Sequence, residues 1–168
     1  WFGWVMFKPA AQTVHTQIGG TYGYRITPLQ SFRLTARVLG REDYRFDAGA
    51  RLSPTDLALG WGPMADPQVL ASINVSQRNR WYYWQTDEFP IPRREIETNS
   101  ANMHMIPANP QVAAALSAVR AGERIALSGQ LVRIDSDDGF TWVSSLSRED
   151  TGAGACELVW VEQFSRLD

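Results

Sequence analysis

Between Phe32 and Val38 the chain alternates without a break: Phe32, Leu34, Ala36 and Val38 fall on one side, and Arg33, Thr35 and Arg37 on the other. Successive side chains of an extended chain point to opposite faces, so this run makes a strand with one dry face and one wet one. A helix, with its longer period, cannot keep these two sets apart. Residues 72–85 carry a second pattern of this kind. It predicts a strand with Ile73, Val75, Trp81 and Tyr83 on the core face, and Asn74, Ser76, Arg78 and Arg80 on the other, followed there by Tyr82 and Trp84.

The last third reads as a β-meander. Ile125, Leu127 and Leu131 share a face until Val132 and Ile134 switch the pattern, so Gly129 marks a bulge or bend. Asp137-Asp138-Gly139 is a hairpin turn, Phe140, Trp142 and Leu146 belong to the returning strand, and a polar loop from Ser147 to Gly154 follows. A closing strand sets Cys156, Leu158 and Trp160 on one face. Helix signals are few. Ser53-Pro54-Thr55-Asp56 offers a cap, a proline for the first turn and an acid near the positive end, with Gly60 as a stop. Asn109-Pro110 precedes Val112, Ala115, Leu116 and Val119 at helical spacing, closed by Gly122. These elements predict a mainly β fold, β-rich α+β, as a small closed or partly open barrel of OB-like kind with one or two short helices.

A chain of 168 residues fits one domain, and 44% hydrophobic residues suffice for a full core, which excludes a disordered polymer. Sixteen basic and 18 acidic residues leave a net charge of −2, so no nucleic-acid partner is expected. The single cysteine, Cys156, excludes an intrachain disulfide and a cysteine-based zinc cluster. Residues 1–27, broken by Gly19-Gly20 and Gly23, read as an N-terminal arm ahead of one β-rich domain over 28–168. The apolar run Trp1–Phe7 is far shorter than the roughly 20 residues that span a bilayer. Two accounts of it stay open: a remnant beside a removed membrane anchor, or a first strand packed on the domain.

Three stretches carry a family resemblance: Leu57-Ala58-Leu59-Gly60-Trp61-Gly62, Asn102-Met103-His104-Met105-Ile106-Pro107, and Ser145 through Glu157 with its Arg148-Glu149-Asp150-Thr151-Gly152-Ala153-Gly154-Ala155-Cys156. Together they resemble a family of uncharacterised bacterial proteins with an N-terminal membrane segment followed by one such domain. The shared patterns are N-x-H-x-I/L and S-R-x-D-T-G-x-G-A-C-E, over most of residues 28–164. The resemblance implies a periplasmic or membrane-anchored placement facing outside the cytoplasm, with membrane contact through an anchor. It implies no activity.

Several chemistries are then weighed on the residues themselves. An imidazole near a thiol raises the thiolate fraction, so His104 and Cys156 are a candidate base and nucleophile. The alternation, however, places Cys156 inside a sheet, where it packs. Asp150-Thr151-Gly152 looks like an aspartic-protease triplet but lacks a second copy and a hydrophobic strand before it. Met103-His104-Met105 suits copper by softness, yet in an extended segment both methionines oppose the histidine. Arg78, Arg80 and the Trp81–Trp84 aromatics form the nearest approach to a strip for single-stranded nucleic acid, against an acidic net charge. Phosphate-binding loops are lacking.

The expectation is therefore a non-enzymatic, envelope-associated binding module for a protein or small molecule, without a cofactor. Its surface combines Asn102 and His104 with the loop residues Arg148, Asp150 and Glu157; Arg148 would hold an anion through its bidentate fork, oriented by Asp150 or Glu157. The alternatives are a hydrolase using Cys156 and His104, and a copper site at His104 with Met103 and Met105.

Overall fold

The computed structural model describes residues 3–7, 14–17, 23–147 and 156–167. Two short strands, β1 (Gly3–Phe7) and β2 (Val14–Gln17), pair antiparallel with β3 (Gly23–Asp43), at Ser31–Thr35 and Gly23–Ile26, so these parts of the N-terminal arm extend the sheet. Next come β4 (Thr55–Gly60), a 3-10 turn (Gly62–Ala65), α1 (Pro67–Leu70), and a ribbon of β5 (Asn74–Arg78) and β6 (Trp81–Gln85). The chain continues through α2 (Arg93–Thr98), β7 (Ser100–Pro107), α3 (Pro110–Ala118), β8 (Arg124–Ser136), β9 (Thr141–Val143) and β10 (Glu157–Arg166).

Five strands close a barrel in the order β3-β4-β7-β10-β8, with β8 returning to β3. All neighbours are antiparallel except β7 and β10, which run parallel. Counting only barrel strands, the first pairs with the second and fourth, the third pairs with the fifth, and α3 joins the third to the fourth. This is the OB-like Greek-key order, and closure leaves the five strands no open edge. In such barrels the outer face of the second and third strands, between the first and last inter-strand loops, is the face that meets ligands. Here that face belongs to β4 and β7, flanked by residues 44–54 and, among the described residues, 137–147.

The barrel is filled by the inward set of each strand: Leu34, Ala36 and Val38, Leu57 and Leu59, Met103 and Met105, Ile125, Leu127 and Leu131, Val159 and Val161. Val112 and Leu116 of α3 join this core, and Asn109 caps the helix by accepting from the Val112 N–H at 2.9 Å. A second cluster gathers Ile26, Leu52, Ile106, Val132, Ile134 and Leu158. Thus Val132 and Ile134 face away from Leu127 by plain alternation, since Leu131 beyond Gly129 keeps the inner face, and the irregularity lies in β10, which shifts register between Val161 and Gln163 opposite that glycine.

Two local expectations are corrected. Residues 55–60 form a strand, not a short helix. Every side chain in β4 is buried, so the two-residue period that marks a half-exposed strand is hidden. Burying Leu57 and Leu59 fully stabilises by about 1.5–3 kcal/mol each, which outweighs helix propensities of tenths of a kcal/mol per residue. Residues 72–85 form a hairpin, not one strand: Asn79 and Arg80 both take positive φ, 53° and 68°, as a two-residue type I′ turn requires. The turn reverses the parity. Val75, Gln77, Tyr82 and Trp84 lean inward, while Trp81 and Tyr83 are exposed.

Candidate functional site: an aromatic cleft over a buried ion network

On the outer face of β4 and β7 the register sets Asp56 directly opposite His104 and Ala58 opposite Asn102. The β5–β6 ribbon lies over the upper part of this face: Gln77 donates to Asn102 Oδ1 at 2.8 Å, and the Tyr82 hydroxyl meets that of Ser100 at 2.9 Å. The ribbon's turn brings Arg80 down onto Asp56. Its guanidinium donates to Asp47 from Nε (2.6 Å) and Nη2 (2.8 Å), to Asp56 Oδ1 from Nη1 (2.7 Å), and to the Ser53 carbonyl from Nη2 (2.9 Å). It also lies 3.9 Å from the Tyr44 ring centroid and 5.4 Å from that of Trp142.

The left-handed backbone at Arg80 costs about 1–2 kcal/mol for a residue with a Cβ. The ion network offsets it, as does the Arg80 N–H donated to the Tyr44 hydroxyl at 2.8 Å. Asn102 completes the network: its Nδ2 donates to Asp56 Oδ2 and to the Arg80 carbonyl, both at 3.1 Å. His104 Nδ1 stands 2.9 Å from Asp56 Oδ1 but off the line of a ring N–H bond, so the approach is electrostatic and leaves that nitrogen without a hydrogen-bond partner. The His104 ring leans on Trp142, centroids 4.6 Å apart.

Burial works against the Arg80 cation, but the two aspartates overcome it and raise its pKa. Conversely, the Arg80 guanidinium holds the Asp47 carboxyl below its ordinary range. A carboxyl with a lowered folded pKa contributes stability that is fully present above its unfolded value, near ~4, and is lost as pH falls through the folded value. The acid limb of a pH–stability curve should therefore flatten in Asp47→Asn, with the two proteins converging below that range. Curves that keep a constant separation would show that Asp47 is not ion-paired in solution. The side chain is 37% exposed, so solvent screening keeps the effect modest.

Below the ribbon's turn the outer face opens into a cleft of about 390 Å³, lined by Asp47, Ala48 and Gly49, by Arg80 and Trp81, by His104, by Phe140, Trp142 and Val143, and by Cys156. This size is within the range of about 300–1,000 Å³ found for ligand sites. Gly49 is needed there, since a Cβ on it would fall 2.5 Å from the Trp142 ring. Of the apolar lining residues, Trp81 is 37% and Val143 45% exposed.

The expected site residues divide accordingly. Asn102 and His104 are brought together, with Asn102 beneath the ribbon and His104 on the cleft wall. Glu157 is fully buried and shares the inner parity of Val159 and Val161, so it faces the barrel and not the cleft. Arg148 and Asp150 lie outside the described residues. Met103 and Met105 fill the barrel, opposite His104, so the copper set is not assembled. Among the described residues no group of three His, Cys, Asp or Glu is placed to hold a metal. Cys156, expected inside a sheet, stands just before β10 at the cleft wall, half-buried, with Sγ 4.0 Å from the Arg80 carbonyl.

Sequence reasoning singled out Arg80 and Trp81 only as part of a strip for nucleic acid, and missed the site roles of Asp47, Asp56 and Trp142. The one available signal was Asn79-Arg80 as a two-residue turn between β-rich runs, and without glycine it is weak. Comparison with protein-family models, curated proteins and solved structures gives no match, so the OB-like class rests on the strand order itself.

Proposed function

We propose that this chain is a binding module that takes an apolar segment of a protein or peptide partner into the cleft on the outer face of β4 and β7. One observation carries this: exposed Trp81 and Val143, with Phe140 and Trp142 beside them, line a preformed cleft at the ligand-bearing face of an OB-like barrel. Aromatic anchors beside a rigid pocket are what concentrate binding energy at protein interfaces. The walls are held in place beforehand by the Arg80 network, which limits the ordering cost of association.

Nucleic acid fits less well. Arg80 is the one cation among the described cleft-lining residues, and the two aspartates and the Ser53 carbonyl occupy four of its N–H donors. The single N–H that remains is too little to follow a phosphate backbone. An exported, membrane-anchored setting belongs to the same proposal and is supported by the motif resemblance.

Selection from a random peptide library displayed against the folded protein tests the function. Enriched sequences should be apolar or aromatic, and Trp81→Ala should weaken their binding about thirtyfold, the size of a hot-spot residue near 2 kcal/mol. Enriched peptides that bind Trp81→Ala as well as the parent protein would place the site elsewhere.

A further inference from the structure

The binding function leaves unused a group in the same cleft: the only thiol of the chain, beside a buried imidazole and a buried carboxylate. We propose that Cys156 is a nucleophile, with His104 as its base and Asp56 as the residue that positions the imidazole, and that it accepts an acyl group from an apolar ester or thioester.

The placement follows from register. In the parallel pairing of β10 with β7, Glu157 lies beside Met103 and Leu158 beside His104. One step back, Cys156 falls beside Asn102 on the outer face, two positions from His104 along that face. Same-face neighbours at this offset stand about 7–8 Å apart at the backbone, within reach of long side chains. On its other side His104 is paired with Asp56 of β4. Two adjacent strands and the residue that leads into a third thus present carboxylate, imidazole and thiol in sequence, and His104 and Cys156 both line the cleft.

The histidine is the independent sign that this is a site. Its side chain is 3% exposed, and Nδ1 has no hydrogen-bond partner although Asp56 Oδ1 is 2.9 Å away. A buried histidine serving only the fold would normally close that bond. With Nδ1 turned to Asp56, Nε2 is the nitrogen left to meet a reactant. The Sγ of Cys156 lies 4.0 Å from the Arg80 carbonyl. Among the described residues, the charged groups about the cleft are Asp56 from β4, Asp47 from the preceding loop and Arg80 from the ribbon's turn; Glu157, next in sequence, faces the barrel. Trp81, Phe140 and Trp142 supply apolar walls for an acyl chain.

In the reaction, Nε2 takes the thiol proton and the sulfur electron pair attacks the acyl carbonyl carbon. A C–S bond forms, and the bond to the alcohol or thiol leaving group breaks as His104 returns the proton to it. Water, deprotonated by the same imidazole, then attacks the thioester, releasing a carboxylic acid and regenerating the thiol. No oxidation or reduction is involved.

The probe is p-nitrophenyl butyrate with the full chain, followed by p-nitrophenolate release and intact mass. A burst matching one butyryl group per chain is expected, mapped to Cys156 and missing in Cys156→Ala. His104→Gln should slow acylation about 100-fold at neutral pH, the lower end for general-base catalysis, and move its pH dependence toward that of an ordinary thiol. Asp56→Asn should shift the same profile by less. Should either variant fail to fold, the parent protein decides alone: iodoacetamide should reach its half-maximal rate below pH ~8.5, the value for free cysteine. No adduct at Cys156, a rate and profile unchanged in His104→Gln, or alkylation no easier than for free cysteine would each overturn the proposal. It rests on the same cleft, but the peptide selections read the rim and the ester reads the thiol, so either can fail without the other.

Discussion

Replacing Arg80 by alanine should cost about 3–5 kcal/mol of folding stability, the range for breaking a buried ion pair from one side. The Arg80 side chain is 15% exposed and Asp56 is fully buried, so the substitution strands a carboxylate inside the protein with only Asn102 and His104 beside it. The half-exposed Asp47 is partly rescued by water and contributes less. Alanine brings no compensating relief, because it is strained at φ 68° as arginine is. Urea unfolding measures the loss. A value under about 1 kcal/mol would mean that the ribbon and the loop before β4 hold their places without the network, and the preformed cleft would lose its support.

Gly129→Ala should be comparably damaging, by about 3 kcal/mol, at the upper end of the usual cost of overpacking. A Cβ at this position would fall 2.0 Å from the Trp160 carbonyl oxygen and 3.2 Å from the Glu162 nitrogen. Both are backbone atoms of β10, so no side chain can swing away. The clash sits where the β8–β10 pairing shifts register, one of the seams that close the barrel. The same urea titration reads it, and an unchanged midpoint would show that the strands do not approach this closely in solution.

Much of the barrel was legible because half-buried strands reveal their period. Leu34, Ala36 and Val38 face the core as their alternation demands, and the cap at Asn109 and the turn at Asp138-Gly139 occur where their residue types place them. Legibility failed where burial or geometry removed the local cue. Thr55–Gly60 is buried on both faces, so no period remained to set against a helix-start signal. At Asn79-Arg80 a turn without glycine reversed which aromatics face outward.

The site was harder to read, for a different reason. Arg80 meets Asp47 and Asp56 across long stretches of chain, and only barrel closure brings them together. No spacing rule links them. His104 could be singled out by residue type, and Cys156 likewise, but their common cleft depends on the parallel pairing of β7 with β10, which sequence alternation does not specify.

The most direct measurement is an amide-resolved NMR titration of the protein with one selected peptide. The account predicts shifts gathered at Asp47–Gly49, Arg80 and Trp81, His104, Phe140, Trp142, Val143 and Cys156, the residues that line the cleft. Shifts gathered instead on α3 or on the outer side of the ribbon, at Ser76 and Tyr83, with the cleft unperturbed, would contradict it.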